Sequence, residues 1–291
     1  MTQDRPVAIH DLQSWKLRGE RIPMITAYDY TSVQVVEAAG IPVVLVGDTL
    51  GMVVLGYDST IPVTLEDMIH HVRAVMRGQS RALVIGDLPF MSYQMSEVQA
   101  LTSAARIIQE GGCHAVKLEG GSEMAPTVAR IVGAGIPVMG HIGYTPQSVN
   151  RFGRRRVLGK RADAAEALVR DALALQSAGA FAIVLECVPI PLADEITRRL
   201  EIPTIGIGSG PGCDGEIQVF HDLLGLYSDF VPRHTKRALA LSDLMTAALS
   251  TYADEVRTRS FPEAKHATSM DLDVLARVVE RIDARAGRVD S

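Results

Sequence analysis

The chain has 291 residues, of which 47% are hydrophobic and 22% are charged, and its formal net charge is −5 at pH 7. This composition is typical of a globular protein with a sizeable core, and the acidic balance argues against nucleic acid or an anionic membrane as a partner. No apolar run approaches the roughly 20 residues that cross a bilayer. The three cysteines form no CxxC pair and the N-terminal residues lack a signal pattern, so we expect a cytoplasmic protein.

The most regular feature of the sequence is a series of apolar runs, which predict strands. Four of the runs begin with Ile-Pro, and proline is tolerated at the first position of a strand. The runs are continuous rather than alternating, as expected of parallel strands that are buried on both faces. Seven strands are predicted at residues 22–29, 41–48, 81–90, 114–121, 136–143, 181–189 and 202–210, and an eighth, short strand at 228–232.

Helical patterns lie between these runs. Residues 64–78 have apolar positions at helical spacing after a predicted N-cap at Thr64, and residues 95–112 follow a predicted cap at Ser96. Residues 163–180 have the most regular helical pattern of the chain. The helices alternate with the strands, so the chain is of the α/β class.

Seven or eight strand–helix units in a chain of this length fit a (β/α)₈ TIM barrel, with a doubly wound sheet as the competing architecture. No low-complexity linker divides the chain. We therefore predict a single domain over residues 1–291, with an N-terminal helical segment at 1–21 and a C-terminal helical tail at 262–291.

Acidic residues stand at the ends of four predicted strands that are otherwise almost wholly apolar. In a TIM barrel these ends converge on the reaction site, so the carboxylates would share one mouth. Like charges at short distance repel one another and attract a divalent cation, and oxygen ligands favour Mg²⁺ over Zn²⁺. The alternative is that the acids cap helices or pair with arginines. The four acids are Asp48, Asp87, Glu119 and Glu186.

Two further strand-end residues indicate what such a site would bind. Lys117 and Glu119 are two positions apart on one strand and therefore share a face. A cation next to a ligating carboxylate suggests an anionic substrate, such as an α-keto acid. Glu186 has apolar neighbours, a setting that suits a general base, although a buried glutamate with satisfied hydrogen bonds remains open. His141 either orients a substrate oxygen or is structural.

In this order, these residues resemble the ketopantoate hydroxymethyltransferase family. The resemblance extends from about residue 12 to 260, and the segments that carry it lie between residues 25 and 226. These segments are ITAYDYTSVQVVEAAG, VGDTLGMVVLGYDSTIPVTLEDMIHHVRAV, GDLPFMSY, VKLEGG, GHIGYTPQSV, VLECVP and IGIGSGPGCDGEIQVFHDLLGL. The resemblance implies a (β/α)₈ barrel of the phosphoenolpyruvate/pyruvate superfamily, cytoplasmic and assembled as a homodecamer. It also implies a Mg²⁺-dependent enzyme of pantothenate biosynthesis. That enzyme transfers a hydroxymethyl group from 5,10-methylenetetrahydrofolate to 3-methyl-2-oxobutanoate through a Mg²⁺-stabilised enolate, which gives 2-dehydropantoate.

The resemblance also assigns roles by position. Asp48, Asp87 and Glu119 match the family's Mg²⁺ site; Asp48, Thr49, Asp87 and Lys117 match its keto-acid contacts; Glu186 matches its proton acceptor; and His141 matches a site histidine that we group with the substrate contacts. Thr49 stands where the family usually has serine, so a hydroxyl is retained. Ser209 and Glu216 replace the more usual alanine and glutamine.

Other interpretations remain open at this point. The chain could be another Mg²⁺-dependent enolate-forming lyase or mutase of the isocitrate lyase or phosphonomutase type, although it lacks their KKCGH-like cysteine loop. A barrel that binds a keto acid without catalysis is a third possibility. The GIGSGPG segment suits either a tight turn or a phosphate-binding loop. The basic residues 151–161 are either a solvated loop or a site for the folate's anionic glutamate tail.

Overall fold

The computed structural model describes residues 5–153, 156–227 and 232–286. In these residues eight strands form a closed barrel, in which each strand is parallel to its neighbours in chain order and the eighth strand pairs with the first. The strands are β1 Ile22–Thr26, β2 Val43–Val46, β3 Leu83–Asp87, β4 Ala115–Lys117, β5 Val138–Gly143, β6 Ala182–Glu186, β7 Thr204–Ile207 and β8 Gly215–Gln218. The predicted TIM barrel is confirmed, since a doubly wound sheet would not close.

Helices follow most of the strands. Thr64 caps the helix Leu65–Gly78 and Ser96 caps the helix Glu97–Arg106, as predicted. The hydroxyl of each capping residue accepts a hydrogen bond from a backbone N–H group, that of Asp67 and that of Gln99 respectively. In the described residues none of the helices is both long and apolar enough to span a membrane. The helices are α1 Ile9–Leu17, α2 Tyr30–Ala38, α3 Leu50–Val53, α4 Leu65–Gly78, α5 Glu97–Arg106, α6 Ala125–Gly133, α7 Val149–Phe152, α8 Ala162–Ser177, α9 Ile190–Arg199, α10 Phe220–Leu224, α11 Leu241–Arg257 and α12 Leu272–Ala286.

The position of the eighth strand was predicted wrongly. Residues 228–231 of the predicted segment lie outside the described residues, and β8 is formed earlier in the chain, by Gly215–Gln218. This strand has only Ile217 as a large apolar residue, and Glu216 on its other face is exposed. It therefore lacks the continuous apolar run by which the other strands were predicted.

The interior of the barrel is a hydrophobic cluster separate from the one between strands and helices. It contains alternate residues of the strands, such as Leu83 and Ile85 on β3, because side chains on a strand alternate between its two faces. Leu12 and Trp15 of α1 belong to the same cluster and are fully buried. Helix α1 thus packs against the amino ends of the strands, and the carboxyl ends remain for a site.

The chain divides into two compact units, Met1–Leu239 and Ala240–Ser291. The first contains the barrel with helices α1 to α10, and the second contains α11 and α12. The predicted tail at 262–291 therefore belongs to a helical unit that begins earlier, at Ala240. A single domain over the whole chain stays a prediction.

Candidate active site

The side chains that face the barrel interior change from apolar to charged toward the carboxyl ends of the strands. On β3, Leu83 and Ile85 belong to the interior cluster, and the next inward position is Asp87. On β6, Val184 in the same cluster is followed two positions later by Glu186. From Ala115 on β4, steps of two residues lead to Lys117 and then to Glu119. On β5, the step of two residues from Met139 leads to His141.

Asp48 reaches the same place by a different route. Val43 and Leu45 of β2 face the interior, so strict alternation would place Gly47 there rather than Asp48. The strand ends at Val46, and the chain then turns into α3. In this turn the backbone N–H of Asp48 donates to Oδ2 of Asp87 at 3.2 Å. A turn therefore brings the Asp48 carboxylate to the inward residues of β3.

The predicted charged residues form one buried group, which we call the strand-end cluster. Nζ of Lys117 lies 2.8 Å from Oδ1 of Asp87 and 3.8 Å from Oε1 of Glu119. The ring of His141 lies between two acids, with Nδ1 3.5 Å from Glu119 and Nε2 3.3 Å from Glu186. Each member is at most 6% exposed. The members are Asp48, Asp87, Lys117, Glu119, His141 and Glu186.

Burial and mutual charge shift the pKa values in this cluster. Burial, then the charges of Asp87 and Glu119, raise the pKa of Asp48 well above its usual range. Burial, then Glu119, likewise raise the pKa of Asp87 although Lys117 opposes the shift. Burial and Lys117 act to lower the pKa of His141, but its contacts with the two glutamates outweigh them and raise it to about 9. His141 is therefore protonated at neutral pH.

The positions of the acids in the strand-end cluster can be compared with the predicted Mg²⁺ site. Within the part of the chain that the structure describes, no group of three or more His, Cys, Asp or Glu side chains is arranged to hold a metal ion by itself. Mg²⁺ is usually bound by one or two carboxylates that share it with substrate and water, so a complete protein cage is not required. The role of Asp48, Asp87 and Glu119 as ligands stays a prediction.

Thr49 lies beside the strand-end cluster at a cavity of about 180 Å³. Its Oγ1 is 2.7 Å from the hydroxyl of Tyr28, a buried residue at the end of β1. Burial raises the pKa of Tyr28 above its usual range, so this hydroxyl stays protonated and fixes that of Thr49. The cavity is lined by apolar side chains, among them Met52 and Ile207, and by polar ones such as Asp58.

Sequence reasoning missed Gln147 and Tyr93, which contact the strand-end cluster from loops. Gln147 follows β5 and donates through Nε2 to Oδ2 of Asp48 at 2.9 Å. The hydroxyl of Tyr93 accepts a hydrogen bond from the backbone N–H of Glu119 at 3.1 Å. Neither residue is on a strand, so periodicity gives no signal for it. The only signal was the position of both residues in loops at the carboxyl ends of strands.

Two other segments were left open by the sequence. In GIGSGPG, Gly208 and Gly210 have left-handed φ angles of 68° and 84°. Between them Ser209 donates through Oγ to the carbonyl oxygen of Leu185 at 2.7 Å and accepts from the N–H of Val188. These bonds within the protein favour a tight turn over a phosphate-binding loop.

The basic residues 151–161 include Arg154 and Arg155, which lie outside the described residues. Arg156 is placed over the ring of Phe152, with its guanidinium carbon 5.2 Å from the ring centroid. This is the geometry of a cation–π contact. The proposed attraction of a folate glutamate tail to this stretch stays a prediction.

Several solved structures have a fold similar to that of this chain. The chain is similar to a phosphonopyruvate hydrolase in complex with oxalate and Mg²⁺, with a TM-score of 0.60, 13% identity, and coverage of 97% of this chain and 99% of the other. It is similar to 2,3-dimethylmalate lyase, a PEP mutase/isocitrate lyase superfamily member, with a TM-score of 0.57, 16% identity, and coverage of 97% and 100%. At such identities the likeness shows the fold alone, and that fold agrees with the predicted (β/α)₈ barrel.

Sequence comparisons are more specific. The chain is 63% identical over 270 residues to a 3-methyl-2-oxobutanoate hydroxymethyltransferase of Chloroflexus aurantiacus, with 93% of this chain and 95% of the relative covered. It is 56% identical over 272 residues to the enzyme of that name from Carboxydothermus hydrogenoformans, with coverage of 94% and 99%. The family model described as ketopantoate hydroxymethyltransferase matches residues 6–264. The chain therefore belongs to the ketopantoate hydroxymethyltransferase family, as its sequence motifs predicted.

Proposed function

We propose that this protein transfers a hydroxymethyl group from 5,10-methylenetetrahydrofolate to 3-methyl-2-oxobutanoate, with water supplying the hydroxyl oxygen, to form 2-dehydropantoate. The observation that carries the proposal is the strand-end cluster, which unites four carboxylates, one lysine and one histidine in a chain of this family. The reaction needs a base at C3 of the keto acid and positive charge at its oxygens. The cluster contains groups of both kinds.

The donor set of the cluster fits a hard divalent cation. Asp48 and Asp87 are buried carboxylates whose pKa values are raised by burial and by neighbouring acids, so their negative charge is only partly compensated within the protein. We propose that both bind Mg²⁺, with Glu119 completing the site. When bound, Mg²⁺ would stabilise the negative charge that develops on the keto oxygen as the C3 proton leaves.

Lys117 is placed to bind the anionic end of the keto acid. Burial alone would lower the pKa of Lys117, but Asp87, Glu119 and Asp48 raise it above its usual range. The ammonium therefore keeps its charge although it is only 4% exposed. We assign to it the carboxylate or the enolate oxygen of the substrate, and to the Thr49 hydroxyl the substrate's carboxylate.

Glu186 is the proposed general base, which takes the C3 proton of 3-methyl-2-oxobutanoate. Its Oε2 lies 3.3 Å from Nε2 of His141, a contact that orients the carboxylate. His141 is charged at neutral pH, so it holds Glu186 and Glu119 and does not compete as a base. Loss of the proton makes C3 a nucleophile, which forms a bond to the methylene carbon of the folate. Both C–N bonds of that carbon break in the overall reaction, water supplies the hydroxyl, and tetrahydrofolate leaves.

The function is tested by incubating the purified protein with MgCl₂ and both substrates and detecting 2-dehydropantoate by mass spectrometry. We expect product only when the keto acid and 5,10-methylenetetrahydrofolate are both present. A parallel incubation with 2-methylisocitrate tests the lyase-type alternative. Cleavage of that compound without formation of 2-dehydropantoate would contradict the proposal.

We also propose that the protein acts in the cytoplasm as a homodecamer, both as implied by its family. Light scattering coupled to size-exclusion chromatography tests the assembly, since a decamer would have ten times the 31.4 kDa mass of the chain. A monomeric mass at assay concentration would contradict the decamer.

A further inference from the structure

Gln147 uses every hydrogen-bonding position of its amide inside the protein. It is 3% exposed. Nε2 donates to Oδ2 of Asp48 and to the carbonyl oxygen of Leu88, both at 2.9 Å. Oε1 accepts from the hydroxyl of Tyr93 at 2.7 Å and from Nε2 of Gln94 at 3.2 Å. Both hydrogens of the nitrogen and both lone pairs of the oxygen are thus occupied.

The amide can adopt only one orientation. A reversed amide would place Oε1 against the carbonyl oxygen of Leu88, which can only accept a hydrogen bond. The hydroxyl of Tyr93 lies 2.7 Å from Oε1 and the side-chain nitrogen of Gln94 lies 3.2 Å from it, so both donors face the amide oxygen. The direction of the amide nitrogen toward Asp48 is therefore fixed by groups outside the strand-end cluster.

The backbone of Gln147 binds a second member of the cluster. Its N–H donates to Oε2 of Glu119 at 3.0 Å. One loop residue thus holds the carboxylate of Asp48, which follows β2, and that of Glu119, which follows β4. Among the described residues the Asp48 carboxylate accepts a hydrogen bond from Gln147 alone. No side chain of the cluster itself performs this task.

We propose that Gln147 is a positioning residue that fixes Asp48 and Glu119 for the binding of a divalent cation and the keto acid. This inference rests on the proposed function of the same site. Groups that orient metal-binding carboxylates typically contribute 10- to 100-fold to metal affinity or activity. Gln147 acts through the two acids and not on the substrate, so its loss affects cation binding before it affects proton transfer.

The test compares the wild-type protein with Gln147→Met, which keeps the side-chain length and removes the amide. The affinity for Mn²⁺, used as a paramagnetic substitute for Mg²⁺, is measured by electron paramagnetic resonance with 3-methyl-2-oxobutanoate present and folate absent. We expect the affinity to fall by about 10- to 100-fold. Exchange of the C3 hydrogen with D₂O, measured by NMR at saturating Mg²⁺ and saturating keto acid, should fall by a smaller factor than the Mn²⁺ affinity, because Glu186 is unchanged.

A matched control is Gln99→Met, which removes a partly buried amide that binds residues 91 and 95 outside the cluster and should leave the Mn²⁺ affinity unchanged. If Gln147→Met does not fold, Tyr93→Phe removes the hydroxyl that fixes Gln147 and should weaken Mn²⁺ binding in the same direction. Wild-type affinity in the folded variant would overturn the inference while leaving the proposed function intact. If the wild-type protein itself binds no Mn²⁺ in the presence of the keto acid, the proposed function fails and the inference with it.

Discussion

Replacing Glu186 by glutamine tests the proposed base with little change of shape. The substitution removes the negative charge and the basic oxygen, and an amide remains near Nε2 of His141, which lies 3.3 Å from the native carboxylate. Lys117 and Asp87, which bind each other at 2.8 Å, are not in that contact. Binding of Mg²⁺ and of the keto acid should therefore stay within about threefold of wild type.

The neighbours of Glu186 determine how far the rate of C3 hydrogen exchange should fall in the glutamine variant. A general base typically contributes 10²- to 10⁴-fold, or about 2.7 to 5.5 kcal/mol of activation free energy. The nearest substitute is His141, but its pKa of about 9 keeps it protonated at neutral pH. Lys117 is protonated as well, because the neighbouring acids raise its pKa. Because both His141 and Lys117 are protonated, the exchange rate should fall toward the upper end of this range.

The assay is exchange of the C3 hydrogen of 3-methyl-2-oxobutanoate with D₂O, followed by proton NMR without folate. Glu186 is one of two acids that raise the pKa of His141, so the glutamine variant should have a lower histidine pKa. Its residual exchange should then increase as the pH rises and His141 becomes neutral. The control is Glu195→Gln on α9, whose carboxylate binds surface arginines. Exchange at the wild-type rate in Glu186→Gln would refute the assignment.

Two further predictions concern substrate binding and stability. Lys117→Gln should raise the KM for the keto acid by about ten- to a hundredfold, because hydrogen bonds to charged groups contribute about 1.5–3 kcal/mol; an unchanged KM in steady-state kinetics would contradict this. Burial alone would raise the pKa of Glu37, but the N–H groups of Ala82, Arg81 and Ser80 hold it below its usual value. The hydrogen bonds of the Glu37 carboxylate therefore stabilise the folded protein fully above about pH 4.3. This contribution is lost as the pH falls through the pKa of Glu37 in the folded protein. In urea unfolding, Glu37→Gln should cost about 1–3 kcal/mol at pH 7, and this cost should decrease as the pH falls through the folded pKa.

Most of the fold was predictable because the first seven strands are buried on both faces. A strand such as β2, Val43–Val46, has every residue buried, so its sequence is continuously apolar and distinct from the flanking helices. Strand β8 alternates between buried and exposed residues and is only four residues long. Such a segment is stabilised by pairing with β7 and β1, and this contribution is absent from the local sequence. Its position could be found only from the closed barrel.

The candidate site was predictable to the extent that strand alternation determines it. Asp87 and Glu186 follow inward apolar residues by two positions, so their direction is set by the strand itself. Asp48 does not follow that alternation, and its place depends on the turn after β2. Gln147 comes from a loop 99 positions away from its partner Asp48, and a contact of that kind has no local pattern. The contacts that these loops make with the site are therefore known only from the structure.

The charges of the strand-end cluster also predict that binding of the keto acid requires a divalent cation. Four carboxylates surround two cationic groups, Lys117 and His141, and both cations already contact acids within the cluster. A keto acid that brings another negative charge should be repelled unless a divalent cation binds with it. Calorimetry after EDTA treatment should therefore detect no binding of 3-methyl-2-oxobutanoate, and added Mg²⁺ should restore it. Binding of equal affinity without a divalent cation would mean that Lys117 alone holds the substrate and that Asp48 and Asp87 have another role.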